Sequence, residues 1–77
     1  MTVDFSNRHQ STQEKMRWLT PNPGLPAGTP SYVARRFYEI GAELVLQLND
    51  GIQLTIALQR LIDAKDAAVR QAIADAE

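Results

Sequence analysis

The sequence lacks cysteine and contains a single histidine, His9. Without cysteine, no disulfide can stabilise the chain and no thiolate can bind a metal ion. One imidazole is too few for a histidine-rich metal cluster. A domain of 77 residues buries only about 60% of its unfolded surface, so its own core gives marginal stability. Oligomerisation is therefore the expected route to a stable fold.

Neither sign of charge dominates, and no long apolar run is present. Eight basic and nine acidic residues give a net charge of −1, whereas a general nucleic-acid coat needs a marked basic excess. No stretch approaches the ~20 apolar residues that span a bilayer, and no signal peptide is recognisable. We expect one cytoplasmic domain that has neither membrane nor DNA as a partner.

The sequence also shows no arrangement of residues that is typical of a catalytic site. A hydrolytic triad needs a base beside its nucleophile, and His9 lies in residues 1–10, which show no periodicity and are predicted to form a flexible arm. Glu39 and Glu43 lie one helical turn apart but have no acid–base partner, so we interpret them as surface residues. We expect no enzyme activity, no cofactor and no metal site.

Hydrophobic periodicity predicts an all-α fold. Ser11 and Glu14 fit a capping box that begins a short helix over residues 11–19. All four prolines and two of the four glycines lie within residues 20–30, so residues 20–29 are predicted to be a connector. Thr29 and Pro30 then favour a helix start.

Two long helices follow, over residues 30–49 and 52–76. The Asp50-Gly51 pair between them is also typical of a β-hairpin, but strands would need a period of two, and both flanks have the helical period. Asp50 and Gln53 fit a second capping box. The predicted apolar stripes comprise Val33, Phe37, Ile40, Leu44 and Leu48 in the first helix, and Leu54, Leu58, Leu61, Ile62, Val69 and Ile73 in the second.

Both long helices have more apolar surface than an antiparallel hairpin can cover. Ala42, Val45 and Leu46 lie off the first stripe, and Ile52 and Ile56 lie off the second. Such residues must meet another chain or water. An oligomer of helical hairpins is the expected solution.

Aromatic and basic residues are concentrated between Lys15 and Tyr38, which contain four of the five aromatic and four of the eight basic residues. Arginine forms a planar fork for phosphate, and aromatic faces stack on bases. A helix start adds free N–H groups that favour anions. These residues could bind a small phosphodiester. Alternatively, Trp18 and Phe37 pack the ends of the hairpin while the arginines keep it soluble.

The segment from Arg36 to Ile73 resembles the phage anti-CBASS sponge proteins, which are small helical hairpins. In that family an Arg-aromatic pair opens the first long helix, a polar elbow follows, and the next helix carries Ala-Leu-x-basic-Leu-x-acidic-Ala. The matching residues are Arg36, Phe37 and Ile40, then Asn49, Asp50 and Gly51, then Thr55, Ala57, Leu58, Arg60, Leu61, Asp63 and Ala64. Two segments depart from the family pattern. Gly51-Ile52-Gln53 replaces Ser-Arg-Glu, and Trp18-Leu19-Thr20-Pro21 matches Tyr-His-x-Pro only loosely.

The resemblance implies a homo-oligomer, a hexamer, that sequesters cyclic dinucleotides or trinucleotides in the cytoplasm of an infected bacterial host without cleaving them. Its pockets would lie between protomers. The residues expected to stack on bases or contact phosphates are Arg17, Trp18, Tyr32, Arg35 and Arg36. Thr55 and Arg60 are expected at a second pocket.

Two other functions are compatible with the residues. The chain could be a helical-hairpin interaction module, such as an antitoxin or a structural subunit of a phage particle. DNA binding through the segment ARRFYE would require a recognition helix and a basic excess, and the sequence favours it least.

Overall fold

The computed structural model describes residues 5–76, which form three α-helices. Helix α1 spans Gln10–Leu19, α2 spans Thr29–Gln47 and α3 spans Ile52–Ala76. No strand occurs in this part of the chain, which confirms the prediction of an all-α fold. Over the same residues, no helix combines the length and the hydropathy that a membrane span requires.

The helices start near the predicted positions but use different caps. The His9 imidazole accepts a hydrogen bond from the Ser11 backbone N–H at 3.1 Å, and so satisfies one of the free donors at the start of α1. His9 therefore has the capping role that we expected of Ser11. The N-cap of α2 is Gly28, not Thr29, and its φ of 96° lies in the region that favours glycine.

Helices α2 and α3 pack on each other across the short elbow of residues 48–51. The start of α2 lies beside the end of α3, where Thr29 and Pro30 line one shallow cavity with Ala72 and Asp75. Helix α1 contacts both long helices.

The hydrophobic core forms where α1 packs against α2 and α3. Its buried residues are Met16 and Leu19 of α1, Ala42 and Val45 of α2, and Leu54, Leu58 and Ile62 of α3. Leu19, Val45 and Leu58 are completely buried. Full burial of such a side chain contributes roughly 1.5–3 kcal/mol, so α1 supplies a substantial part of a small core.

The buried face of α2 differs from the predicted stripe. Ala42 and Val45, which the sequence pattern left to another chain or to water, belong to the core, whereas Ile40 and Leu48 are 42% and 46% exposed. The reason is the close approach of α1, since a Cβ atom on Gly41 would lie only 2.7 Å from Leu19 Cδ1. Small residues on this face of α2 allow α1 to approach closely, and the predicted apolar stripe of α2 is therefore partly exposed.

Residues 5–9 are not a free arm. Phe5 packs against the core cluster, and its carbonyl accepts the Arg8 backbone N–H at 2.9 Å. These contacts tie the segment to the core, whereas the sequence predicted a flexible arm. Residues 1–4, which the same prediction covered, lie outside the described residues.

Candidate functional site

Asp50, in the elbow, holds the beginning of the chain through a cluster of hydrogen bonds. Its Oδ1 accepts from the Thr12 hydroxyl at 2.7 Å and from Arg8 Nε at 3.2 Å, and its Oδ2 accepts from the His9 backbone N–H at 2.9 Å. We call Asp50 with these three residues the Asp50 clasp. Its bonds go to the N-terminal segment, so the prediction that Asp50 caps α3 by accepting the Gln53 amide is wrong.

The clasp stabilises the ionised form of Asp50. The His9 N–H has the largest effect, the Thr12 hydroxyl and the Arg8 side chain add to it, and together they lower the pKa of the carboxyl from 3.8 to about 2. Each donor binds the charged form more strongly than the neutral form, which explains the direction of the shift. The Asp50 carboxylate is therefore charged at neutral pH.

Arg8 also closes the end of α2. Its guanidinium donates to the Leu48 carbonyl at 2.7 Å and to the Val45 carbonyl. The last carbonyls of a helix lack partners within the helix and carry its negative dipole end, so a cation there is doubly favourable. Arg8 thus joins the N-terminal segment, the end of α2 and the elbow.

A surface cavity of about 400 Å³ lies beside the clasp. His9 and Ser11 line it at the start of α1, and the elbow and α3 contribute Asp50, Gly51, Ile52, Thr55 and Ile56. Ser11 and Thr55 both line it, with their hydroxyl oxygens 3.4 Å apart, and Ile52 and Ile56 provide apolar lining. A mostly apolar cavity with a few polar groups suits a small amphipathic ligand or an apolar partner side chain.

A second group of site candidates lies in the first turns of α2. The Arg35 guanidinium carbon lies 5.8 Å from the centroid of the Tyr32 ring, within cation–π range, and Tyr32 is 54% exposed. Arg36 pairs with Glu39 at 3.2 Å on the exposed surface, where an ion pair contributes little and exchanges easily. No side chain caps this helix start.

Arg17 and Trp18 form a third group at the end of α1. Trp18 is 62% exposed, while its carbonyl accepts a hydrogen bond from the Lys65 ammonium of α3. Burial lowers the pKa of Lys65. Lys15 also donates to Gln59 Oε1 at 2.6 Å, so two lysine contacts fix the last turns of α1 on α3.

The predicted site residues lie on several elements of the chain. Leu19, which follows Trp18 in α1, contacts α2 at Gly41. Gly41 is nine residues beyond Tyr32 and hence ~13 Å farther along the axis of α2. Thr55 lines the elbow cavity. Arg60 is exposed on α3, roughly 140° around the helix from Thr55 at 3.6 residues per turn. The predicted residues thus belong to three parts of the chain: the end of α1, the first turns of α2, and the elbow with α3.

The sequence did not predict the Asp50 clasp, nor that His9 and Ser11 would line the cavity beside the elbow. A carboxylate directly before a helix is usually its cap, which concealed the long-range role of Asp50. No periodicity marks Arg8 or His9. The fully buried Thr12 was the available signal, since it occupies the apolar face of α1 one turn before Met16.

Among residues 5–76, no group of three carboxylate or imidazole side chains is placed to hold a metal ion. In comparisons with known proteins, no family model matches the chain, and neither a curated protein nor a solved structure is significantly similar to it.

Proposed function

We propose that this chain is a binding protein that captures cyclic oligonucleotide signals and releases them unchanged. The observation that carries the proposal is the exposed pair of Tyr32 and Arg35, 5.8 Å apart at the open start of α2. Together they present a stacking face and a phosphate-binding fork on one turn of helix. The resemblance of residues 36–73 to the phage sponge proteins supports the same function.

The chemistry of capture needs only a few groups. Tyr32 and Trp18 would stack on the bases, and base–aromatic stacking contributes roughly 1–3 kcal/mol per base. Arg17, Arg35 and Arg36 would bind the phosphates, with the free N–H groups of α2 adding to the attraction. Thr55 and Arg60 would serve a second type of pocket, for a cyclic trinucleotide.

Oligomerisation completes the proposed pockets. Trp18 lies at the end of α1 and Tyr32 in the first turn of α2, and α1 meets α2 farther along, at Gly41. We therefore place a ligand held by both residues between protomers. Four large apolar side chains around the elbow could form the contact between chains: Leu46, Leu48, Ile52 and Ile56, which are 66%, 46%, 78% and 44% exposed. We propose a hexamer of α2–α3 hairpins that acts in the cytoplasm of an infected bacterium, without membrane or DNA.

Sequestration is a stoichiometric process, so it requires tight binding and no catalytic group. In the elbow, the Asp50 carboxylate already accepts hydrogen bonds from Arg8, His9 and Thr12, and these bonds hold the N-terminal segment in place. His9 accepts from the Ser11 N–H. In this proposal Asp50 and His9 have structural roles, and capture requires neither of them as a catalytic group.

A protein-interaction module is the second candidate, and the apolar elbow favours it. The side chains of Leu46 and Ile52 are among the most exposed large apolar groups of the described chain. Contiguous exposed apolar surface typically marks a contact with another protein. An antitoxin or a phage structural subunit would use this surface and leave Tyr32 and Arg35 free.

A capture experiment distinguishes these functions. The purified protein is mixed with a panel of cyclic dinucleotides and trinucleotides, the protein is removed by filtration, and free ligand is quantified by chromatography. Depletion of one ligand, with intact ligand returned on heat denaturation, is the expected result. An altered product would identify an enzyme, and full recovery in the filtrate would leave the interaction module as the better proposal.

A further inference from the structure

We propose that two copies of this chain associate through α2, which packs antiparallel to α2 of the second copy with Ile40 at the centre of the contact. The proposal does not depend on nucleotide binding. It adds a second contact to the elbow surface, as a hexamer built from dimers requires. It rests on an exposed face of α2 and on the order of the charges along that face.

One face of α2 is exposed over about three turns. Its residues are Arg36, Ile40, Glu43 and Gln47, and their spacings of four, three and four place them on one side of the helix. Ile40, in the middle, is 42% exposed. Helix α1 contacts α2 at Gly41, roughly 100° around the helix from Ile40. Helix α1 therefore leaves this face of α2 uncovered.

An apolar edge runs along this face. Phe37 and Leu44 are half-buried and pack against the core cluster, and they flank Ile40 on the side opposite to Arg36 and Glu43. Phe37 lies three residues before Ile40 and Leu44 lies four residues after it. An antiparallel second helix would therefore place its own Leu44 against Phe37. An apolar centre with a polar rim is typical of contacts between proteins.

The charged edge of the face is complementary to itself. Arg36 lies four residues before Ile40 and Glu43 lies three residues after it, which is ~6 Å and ~4.5 Å along the helix axis. A two-fold axis beside Ile40 reverses the second helix and keeps each edge on its own side. Arg36 of each copy therefore faces Glu43 of the other, and the ion pair occurs twice. A parallel arrangement would instead place Arg36 against Arg36, which like-charge repulsion disfavours.

The carboxylate of Glu43 is available for a second copy. Within residues 5–76, its side chain forms no hydrogen bond or ion pair. Arg36 pairs with Glu39 at 3.2 Å, and a guanidinium has five N–H donors, enough for Glu39, for Glu43 of the second copy and for a phosphate. Opposite charges at similar distances from Ile40 favour a second copy of the chain as the partner of this face.

A cysteine at the centre of the face tests the contact. Helix axes that pack about 8–10 Å apart bring the two Cα atoms of residue 40 to about 5 Å from each other, because each lies ~2.3 Å from its own axis. That separation suits a disulfide, and the chain has no cysteine of its own. At micromolar concentration and under mild oxidation, we expect Ile40→Cys to form an intermolecular disulfide at least about tenfold faster than Ala67→Cys, which changes an exposed position of α3. Non-reducing gels measure both rates.

Charge reversal tests the register of the contact. Glu43→Arg would place two arginines opposite each other, and like charges across a contact are repulsive. In the Ile40→Cys background it should slow disulfide formation by about tenfold, and the further change Arg36→Glu should restore the rate by exchanging the two charges. Glu14→Arg makes the same charge change at an exposed position of α1 and should leave the rate unchanged. Far-UV circular dichroism checks that each variant remains helical.

Three outcomes would overturn the proposal. An Ile40→Cys protein that crosslinks no faster than Ala67→Cys would show that the two α2 faces do not meet. If Glu43→Arg leaves the rate unchanged, or if Arg36→Glu does not restore it, Arg36 and Glu43 do not face each other across the contact. A wild-type chain that sediments as a monomer at the concentration of the crosslinking experiment would leave this face to a different protein.

Discussion

Thr12 donates its hydroxyl hydrogen to Asp50 at 2.7 Å, across 38 residues of sequence. Thr12 is completely buried, and the Asp50 side chain is one-third exposed. The bond therefore joins the inner face of α1 to the rim of the elbow. It fixes Thr12 to the elbow one helical turn before Met16 enters the core.

The first prediction concerns acid. The clasp lowers the pKa of Asp50 to about 2, so the ionised carboxylate stabilises the folded chain above about pH 4, and this contribution disappears as the pH falls towards 2. Arg8 is the charged group that faces Asp50, and His9 contributes its backbone N–H. We expect the free energy of unfolding of the wild type to fall over this range more steeply than that of Asp50→Asn.

Urea unfolding between pH 2 and 6, followed by Trp18 fluorescence, measures the difference. Asp63→Asn should retain the wild-type slope with pH. Parallel slopes for the wild type and Asp50→Asn would mean that Asp50 is not stabilised in its ionised form.

The second prediction concerns the packing of α1 on α2. A methyl group at Gly41 would lie 2.7 Å from Leu19 Cδ1 and 3.4 Å from Met16 Sδ. Overpacking a core costs about 1–3 kcal/mol, while replacing a helical glycine with alanine regains about 1 kcal/mol. We expect Gly41→Ala to lower the free energy of unfolding by about 1 kcal/mol in urea titrations.

Gly51→Ala is the control for that substitution, because no atom lies within 4 Å of the added Cβ. Its effect should stay within about 0.5 kcal/mol, as is usual at exposed positions. A stabilised Gly41→Ala protein would show that α1 can move away from α2 at little cost.

The success of sequence reasoning depended on the range of each interaction. The helices were predictable because the periodicity of α2 and α3 and the Thr29-Pro30 pair act locally. The buried face of α2 was not predictable from the sequence. A hydrophobic pattern is read from its large apolar residues, whereas the packing of α1 requires the small residues Gly41 and Ala42 beneath Leu19. The face of α2 that a third helix contacts is determined by tertiary packing and not by the local sequence.

The candidate site shows the same division. Tyr32 and Arg35 are one turn apart in sequence, and the structure places the guanidinium over the ring. Arg8 and Asp50 are 42 residues apart, and nothing in the local sequence links them. Trp18 and Tyr32 belong to different helices, and no local pattern in the sequence relates their positions.

The third prediction concerns ligand capture. Arg35→Ala, Arg36→Ala and Trp18→Ala should each weaken capture of the cyclic oligonucleotide by about tenfold or more, since a charge-assisted hydrogen bond or a stacked base contributes about 1.5–3 kcal/mol. Tyr32→Phe should retain capture, and Tyr32→Ala should lose it, because the ring face does the stacking. Isothermal titration calorimetry with the ligand found in the capture panel measures these changes.

Arg70→Ala is the control for the arginine variants, because Arg70 is an exposed α3 residue outside the proposed site. Each variant should keep the oligomeric state of the wild type. If Arg35→Ala, Arg36→Ala and Trp18→Ala all bind like the wild type, the assignment of these residues is wrong, even where capture itself is confirmed.

The last prediction concerns assembly. Ile52 is 78% exposed beside the elbow cavity, so its replacement affects the fold of one chain very little. In the proposed oligomer the same side chain would be buried, and a carboxylate there would have to lose its hydration without a partner. We therefore expect Ile52→Glu to convert the wild-type oligomer to smaller species at micromolar concentration, measured by sedimentation velocity.

Ala67→Glu adds the same charge at an exposed position of α3, away from the elbow, and should sediment like the wild type. A monomeric wild type would refute the oligomer, whereas an Ile52→Glu protein that assembles normally would move the interface to another surface.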